Sequence, residues 1–191
     1  MIRPTTPAWV LAATALAGCA APPTVRTEET GEPAPDTRRA AELNRRGAAA
    51  GPAEAEALFR QAIAADSGYA PAYNNLGTVL LRRKRYAEAA EAFDTAARLR
   101  PESAEPRFNL GLLHHEIGRH REAMREYELA LELDPGHLQA AENCAILYVR
   151  LGIQKERTRE LLRGALLREE RPALRKWMEE QIFRLEAAPA P

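Results

Sequence analysis

The side chains with the greatest chemical potential in this sequence sit in one short stretch, His114, His115, Glu116 and His120. Two histidines one helical turn apart with a glutamate between them can hold zinc and place a general base beside it, but that chemistry needs a spacing of four. His115 and His120 are five apart. On a continuous helix they would point roughly 140° away from each other, and Gly118 between them reads as a helix end. The stretch is therefore not expected to hold a metal. Cys19 and Cys144 are far apart in the chain and fit neither a clustered disulfide framework nor a zinc-ligand spacing. The sequence has no glycine loop with a following lysine to cradle a phosphate, and no Gly-x-Ser-x-Gly elbow to expose a nucleophile. With no nucleophile, base and orienting group identifiable together, the chain reads as a non-enzyme without a metal or cofactor.

The remaining polar signals suit binding. Asn75, Asn109 and Asn143 recur at intervals of 34. A carboxamide offers both a donor and an acceptor, which matches the N–H and C=O of an extended peptide. The same side chains could instead bond neighbouring helices, and the spacing leaves both roles open. Asn74 adds a second amide beside the first. Arg82 to Arg85 form a run of four cations that could meet anionic headgroups or an acidic partner, although Glu88 and Glu91 dilute it. Over the whole chain 27 Lys and Arg balance 27 Asp and Glu. Nucleic acid is excluded as a partner, because neutralising phosphates needs a basic excess gathered on one face.

The elements that must carry these residues follow from a repeat of 34. Leu76-Gly77 recurs as Leu110-Gly111, Ala89 as Ala123, Phe93 as Tyr127, Ala96 as Ala130 and Pro101 as Pro135. One step backwards, Ala55, Phe59 and Ala62 occupy the second-helix positions, and Asp66-Ser67 stands where Asp134-Pro135 closes the later unit. Tyr73, Leu76, Gly77 and Leu80 make one stripe on a first helix. Ala89, Phe93 and Ala96 make a facing stripe on a second, two alanines flanking an aromatic knob. Pro71 and Pro106 suit first helical turns, whereas Arg100-Pro101 and Asp134-Pro135-Gly136 stop helices. The third unit keeps Asn143, Tyr148 and Gly152 but has Ala145 in place of glycine, and the register of 34 puts Arg157 and Gly164 at its second-helix alanine positions. It reads as degenerate. Cys144, at the position of Leu76 and Leu110, is expected to be a buried core thiol. Pro172 opens a last helix whose Leu174, Trp177, Met178, Ile182 and Leu185 form one stripe opposite Arg175, Lys176, Glu179 and Glu180.

This pattern resembles the tetratricopeptide repeat. The resemblance implies an all-α solenoid over residues 37–186, of about three to four helix-turn-helix repeats plus a C-terminal capping helix, with a disordered tail at 187–191. It further implies a right-handed superhelix whose concave groove is lined by the first helices. A cap is expected because each repeat leaves an apolar face that only a neighbour covers. By resemblance the groove holds Asn75, Asn109, Asn143 and Asn74 together with Thr78, Leu81, Phe108, Leu112, His115, Glu142, Ile146 and Val149, a largely apolar set. Family members that clamp a terminal carboxylate use lysines in these places, and this chain lacks them. The apolar positions could also be covered by the chain's own tail or by a neighbour.

The N-terminus reads as an address. Arg3 precedes an apolar run of ten residues, Ala8 to Ala17, too short for a bilayer that needs about 20. Leu16-Ala17-Gly18-Cys19 resembles the lipobox of bacterial lipoproteins. That resemblance implies a signal peptide over 1–18, removed before Cys19, and a covalent lipid on the Cys19 thiol that anchors the protein in the bilayer. Residues 19–36 carry Pro22, Pro23, Pro33 and Pro35 without apolar periodicity and are expected to be a disordered tether. At about 3.1 Å per residue it would reach roughly 50 Å. Ala20 replaces the aspartate that retains many lipoproteins in the inner membrane, which favours the periplasmic face of the outer membrane. The expected function is a membrane-anchored adaptor that holds a peptide or helix of an envelope protein complex, similar to small repeat lipoproteins that serve as pilotins for pilus secretins or scaffold cell-wall and outer-membrane assembly. The alternative is a carrier of a lipid or cell-wall fragment.

Overall fold

Amphipathic stretches of 12 to 16 residues alternate with short turns, and each such stretch can bury its apolar stripe only against a neighbour. The computed structural model describes residues 34–152 and 155–187. Its helices are α1 (Thr37–Ala49), α2 (Pro52–Ala65), α3 (Ala70–Arg82), α4 (Tyr86–Leu99), α5 (Ala104–Glu116), α6 (His120–Leu133), α7 (Leu138–Leu151), α8 (Lys155–Leu166) and α9 (Pro172–Ala187). They pair as four hairpins, α1/α2 to α7/α8, each packed on the next and followed by α9. α1 touches α3 and α3 touches α5, while the second helices make no comparable contact with one another. α1, α3 and α5 therefore form the tighter, inner row, and α7 borders the same side, sharing a hollow with α3 and α5. This is the expected all-α tetratricopeptide solenoid. The stretches expected to be an export signal and a tether lie outside the described residues, Cys19 included and residues 34–36 excepted, as do 188–191.

Local chemistry sets the helix ends. The Asp36 carboxylate caps α1 by accepting from the Arg39 N–H at 2.9 Å, and Pro52 sits in the first turn of α2, where no donor is needed. Asp66 and Asp134 close their hairpins alike, accepting from the N–H of Gly68 at 2.9 Å and of Gly136 at 2.8 Å.

Between the two helices of each early repeat an aromatic ring lies on a glycine. Phe93 is fully buried, and a Cβ at Gly77 would fall 2.6 Å from its Cε1. Tyr127 crowds Gly111 in the same way. The first repeat uses Gly47 and Phe59, again 2.6 Å from a hypothetical Cβ, but these are only 12 positions apart where Gly77 and Phe93 are 16 apart. The first hairpin is thus about one helical turn shorter, with its glycine 30 residues before Gly77.

The fourth repeat, α7/α8, corrects an expectation. Arg157 and Gly164 are exposed, and the buried stripe of α8 is Thr158, Leu162 and Ala165. These stand 35 residues after Ala123, Tyr127 and Ala130. One inserted residue between α7 and α8 restores a small-large-small stripe that a register of 34 misses. Ala145, at the glycine position and fully buried, shares a core with Leu162 in place of an aromatic ring. Cys144 is fully buried as well, and burial pushes its thiol up to about 12. On α9, Met178 is completely buried, with Leu174, Trp177, Ile182 and Leu185 packed around the same core. Arg175, expected on the solvent face, donates to the backbone carbonyls of Leu166 at 2.7 Å and Glu169 at 2.8 Å, capping the end of α8.

Candidate peptide-binding groove

The inner row carries all eleven residues proposed for direct contact, and every one is half-buried: Asn74, Asn75, Thr78 and Leu81 on α3, Phe108, Asn109, Leu112 and His115 on α5, and Asn143, Ile146 and Val149 on α7. Half-burial is what a groove wall requires, since one side of each residue packs and the other stays reachable.

The amides bond to each other across repeats. Asn75 donates through Nδ2 to Asn44 Oδ1 at 2.9 Å, and Asn109 donates through Nδ2 to Asn74 Oδ1 at 2.9 Å. Asn44 and Asn74 occupy the same place, three residues before Gly47 and Gly77. This position faces the next repeat throughout the array. At the third step it is Phe108, whose ring packs on His137 with centroids 4.6 Å apart. At the fourth it is Glu142, whose Oε2 accepts from Arg171 at 2.7 Å. By the same register Asn143 is matched with Phe108, not a carboxamide, and its side chain has no hydrogen-bond partner among the described residues. Asn44 escaped the sequence reading because the short first hairpin breaks the register; the asparagine three before a glycine was the signal that could have found it.

Glu142, expected to line the groove, is instead buried at 6% exposure beneath the α8–α9 turn. Burial, reinforced by the carboxylate of Glu169, pushes its carboxyl above the usual range. Glu169 is held well below that range, first by hydrogen bonds from the Arg171 side chain and then by Glu142. Of the two, Glu142 is the carboxyl that keeps its proton to higher pH. The arginine clamps an acid pair that closes this end of the inner row.

Two hollows open along the row. One, of about 550 Å³, is bounded by Asn75, Thr78 and Val79 of α3 and by Ala48 and Phe59 of the short first hairpin. The other, of about 540 Å³, is bounded by Leu81, Leu112 and His115 with Arg82, Lys84, Glu116, His120 and Arg150. Here the structure corrects a second expectation. α5 ends at Glu116, Gly118 adopts φ 77°, and α6 begins at His120. The chain reverses, and the rings of His115 and His120 meet edge to face with centroids 5.4 Å apart. Divergence over five residues holds only for an unbroken helix. The described residues contain no group of three or more side chains able to hold a metal. Burial, then the charges of His120 and Arg150, lower the pKa of His115, against a smaller opposing effect of Glu116.

The basic run divides. Arg83 pairs with Glu56 and donates to the Pro52 carbonyl at 2.7 Å. Arg85 pairs with Glu56 at 2.8 Å and also with Glu88. Burial opposes ionisation of Glu56, yet its hydrogen bonds from Arg60 and Arg85 hold it below the usual carboxylate range. Arg82 and Lys84 stay at the hollow.

Comparison with known proteins agrees with this geometry. Residues 68–136 match the tetratricopeptide repeat family model. No curated protein matches the chain in sequence. Among solved structures, the crystal structure of MamA is similar at 24% identity and a TM-score of 0.61, over 72% of this chain and 82% of that one. PilF of Pseudomonas aeruginosa is similar at 24% identity and a TM-score of 0.63, over 77% and 71%. The first repeat domain of Spaghetti (RPAP3), bound to the HSP90 peptide SRMEEVD, is similar at 21% identity and a TM-score of 0.57, over 62% and 97%. These likenesses, with the nine helices of the described residues, show that the fold is that of tetratricopeptide repeat scaffolds.

Proposed function

We propose that this protein is a lipid-anchored adaptor of the bacterial envelope that holds an extended peptide or helix of a protein partner along its inner row. The observation that carries the reading is the amide ladder flanked by two hollows. Each bonded amide uses one N–H or one oxygen inside the protein, which fixes its orientation, and keeps the rest of its donors and acceptors for a partner's main chain. Leu81, Leu112, Ile146 and Val149 between the rungs supply apolar surface without sequence selectivity. Pilus or secretin assembly is one of several envelope machines such an adaptor could serve. The Cys19 lipid and the outer-membrane address complete the proposal, the first resting on the lipobox and the second on Ala20 beside it.

A photo-crosslinker at Leu112 in intact cells, read by mass spectrometry, is expected to capture one envelope protein. Cys19→Ser is expected to abolish incorporation of labelled fatty acid and to release the protein from membranes. Crosslinks only to lipid or cell-wall fragments would replace the adaptor by a carrier, and fatty-acid labelling that survives in the Cys19 variant would remove the anchor.

A further inference from the structure

The second hollow concentrates positive charge that the rest of the fold does not neutralise. Arg82 and Lys84 reach it from the end of α3 and the turn beyond, Arg150 from α7, and His115 and His120 from α5 and α6, with Glu116 the one acid among the described residues that line it. Arg82, Lys84 and Arg150 have no ion-pair partner among the described residues, although Arg83 and Arg85 beside them are paired with Glu56 and Glu88. Lys84 is the more telling case. Its backbone is left-handed at φ 60°, and the equivalent positions 34 and 68 residues later are Gly118 at φ 77° and Gly152 at φ 64°. Glycine enters that region without steric cost and lysine does not. The turn beside the hollow therefore carries a cation where the other two turns carry the residue best suited to the backbone.

We infer that this hollow receives an acidic peptide segment of the partner, a side-chain carboxylate lying among Arg82, Lys84 and Arg150 and a neighbouring aliphatic side chain resting on Leu81 and Leu112. The inference deepens the groove reading and rests on it. The volume of about 540 Å³ lies within the usual range for ligand sites, about 300 to 1,000 Å³. An open hollow with two leucines and a rim of cations suits alternating acidic and apolar side chains. It would leave most of an acyl chain in water, which disfavours a lipid. His115 gives the site a proton linkage. It is faced by Glu116 on its own helix, His120 of α6, Arg150 of α7 and the Arg82 and Lys84 cations, a setting in which the free imidazole is held neutral by burial and like charge. An incoming carboxylate favours the protonated ring, so affinity should rise as pH falls from neutral towards 6.

The test is fluorescence anisotropy on the full-length protein with a fluorescein-labelled octapeptide of alternating glutamate and leucine. The glutamate peptide should bind at least tenfold tighter than its glutamine counterpart, and a lysine counterpart should not bind. Lys84→Gly should fold at least as stably as the parent, because glycine suits the turn, and still weaken binding about threefold. The triple variant Arg82→Gln, Lys84→Gly, Arg150→Gln should weaken it tenfold or more, Arg98→Gln with Arg100→Gln should leave it unchanged, and His115→Gln should flatten its pH dependence. Equal binding of the glutamine peptide, no binding at all, or full affinity in the triple variant would overturn the inference. Displacement of the peptide by dihexanoyl phosphatidylglycerol at lower concentration than by unlabelled peptide would reassign the hollow to a lipid headgroup. If the triple variant keeps its crosslinks at Leu112 to the native partner, the adaptor reading stands and the acidic-segment assignment alone falls. If the parent yields no protein crosslink there, the adaptor reading falls first.

Discussion

The second and fourth repeats solve one packing problem with different side chains. In the second, Gly77 brings α3 close enough to α4 for the Phe93 ring to fill the gap. In the fourth, Ala145 carries the extra methyl and the knob shrinks to Leu162, displaced by one position along the sequence. Close-packed interiors tolerate such volume-conserving exchanges and resist one-sided ones. What the repeat conserves is the sum across the interface, so a consensus read at fixed positions mistakes the compensated repeat for a degenerate one. The two repeats also differ in cover. α3/α4 lies between hairpins on both sides, whereas α7/α8 has α6 on one side and the single helix α9 on the other.

The largest effect should come from removing that single helix. Met178 is fully buried in the core shared by α7 and α8, and Met178→Ala should cost about 2 to 5 kcal/mol in denaturant unfolding. Deleting residues 172–191 should cost more and expose the C-terminal core, seen as aggregation by light scattering. A truncated protein that stays monomeric with an unchanged Tm would mean that the fourth repeat needs no cover and that the contrast with the second is empty.

The exchange itself can be tested next. Gly77→Ala places a Cβ 2.6 Å from the Phe93 ring and should destabilise by about 1 to 3 kcal/mol. Adding Phe93→Leu should cost less than the sum of the two single changes, a coupling of about 0.5 to 3 kcal/mol, because the pair then reproduces the fourth repeat. Strict additivity would break the compensation argument.

How legible these features were follows from what carries them. Gly77, Phe93, Gly111 and Tyr127 stand in one register of 34, so local pattern and tertiary contact coincide and the sequence displays both. Asn44 and Gly47 sit at 30 and not 34 before their counterparts, Thr158 and Leu162 at 35 after theirs, and a fixed period passes over them. The His115–His120 contact and the Glu142–Arg171 pair depend on where chain reversals bring side chains, which no periodicity records. Register alone assigns groove positions and does not separate side chains that look inward, such as Leu112, from those like Phe108 that pack on the next repeat.

The amide ladder yields the smallest expected change in stability and the sharpest use of the comparison. Asn75 is bonded to Asn44, so Asn75→Ala should cost about 0.5 to 1.5 kcal/mol of stability, the usual net worth of a neutral hydrogen bond, and Asn109→Ala should behave alike through Asn74. Asn143 has Phe108 where the others have an amide, so Asn143→Ala should stay within about 0.5 kcal/mol of the parent, as expected of substitutions away from special contacts. Binding separates the roles. If the free donors and acceptors of the ladder hold a partner's main chain, all three substitutions should weaken binding of the crosslinked partner by a similar amount, about 0.5 to 1.5 kcal/mol, although only two of them disturb the fold. Asn143 is thus the position at which a binding role can be read without a stability change beneath it. Calorimetry of the partner complex, with Tm measured alongside, gives both quantities from the same samples. Full affinity in the Asn143 variant, with destabilisation confined to the other two, would make the ladder a bracket between repeats and move the contact surface to the hollows beside it.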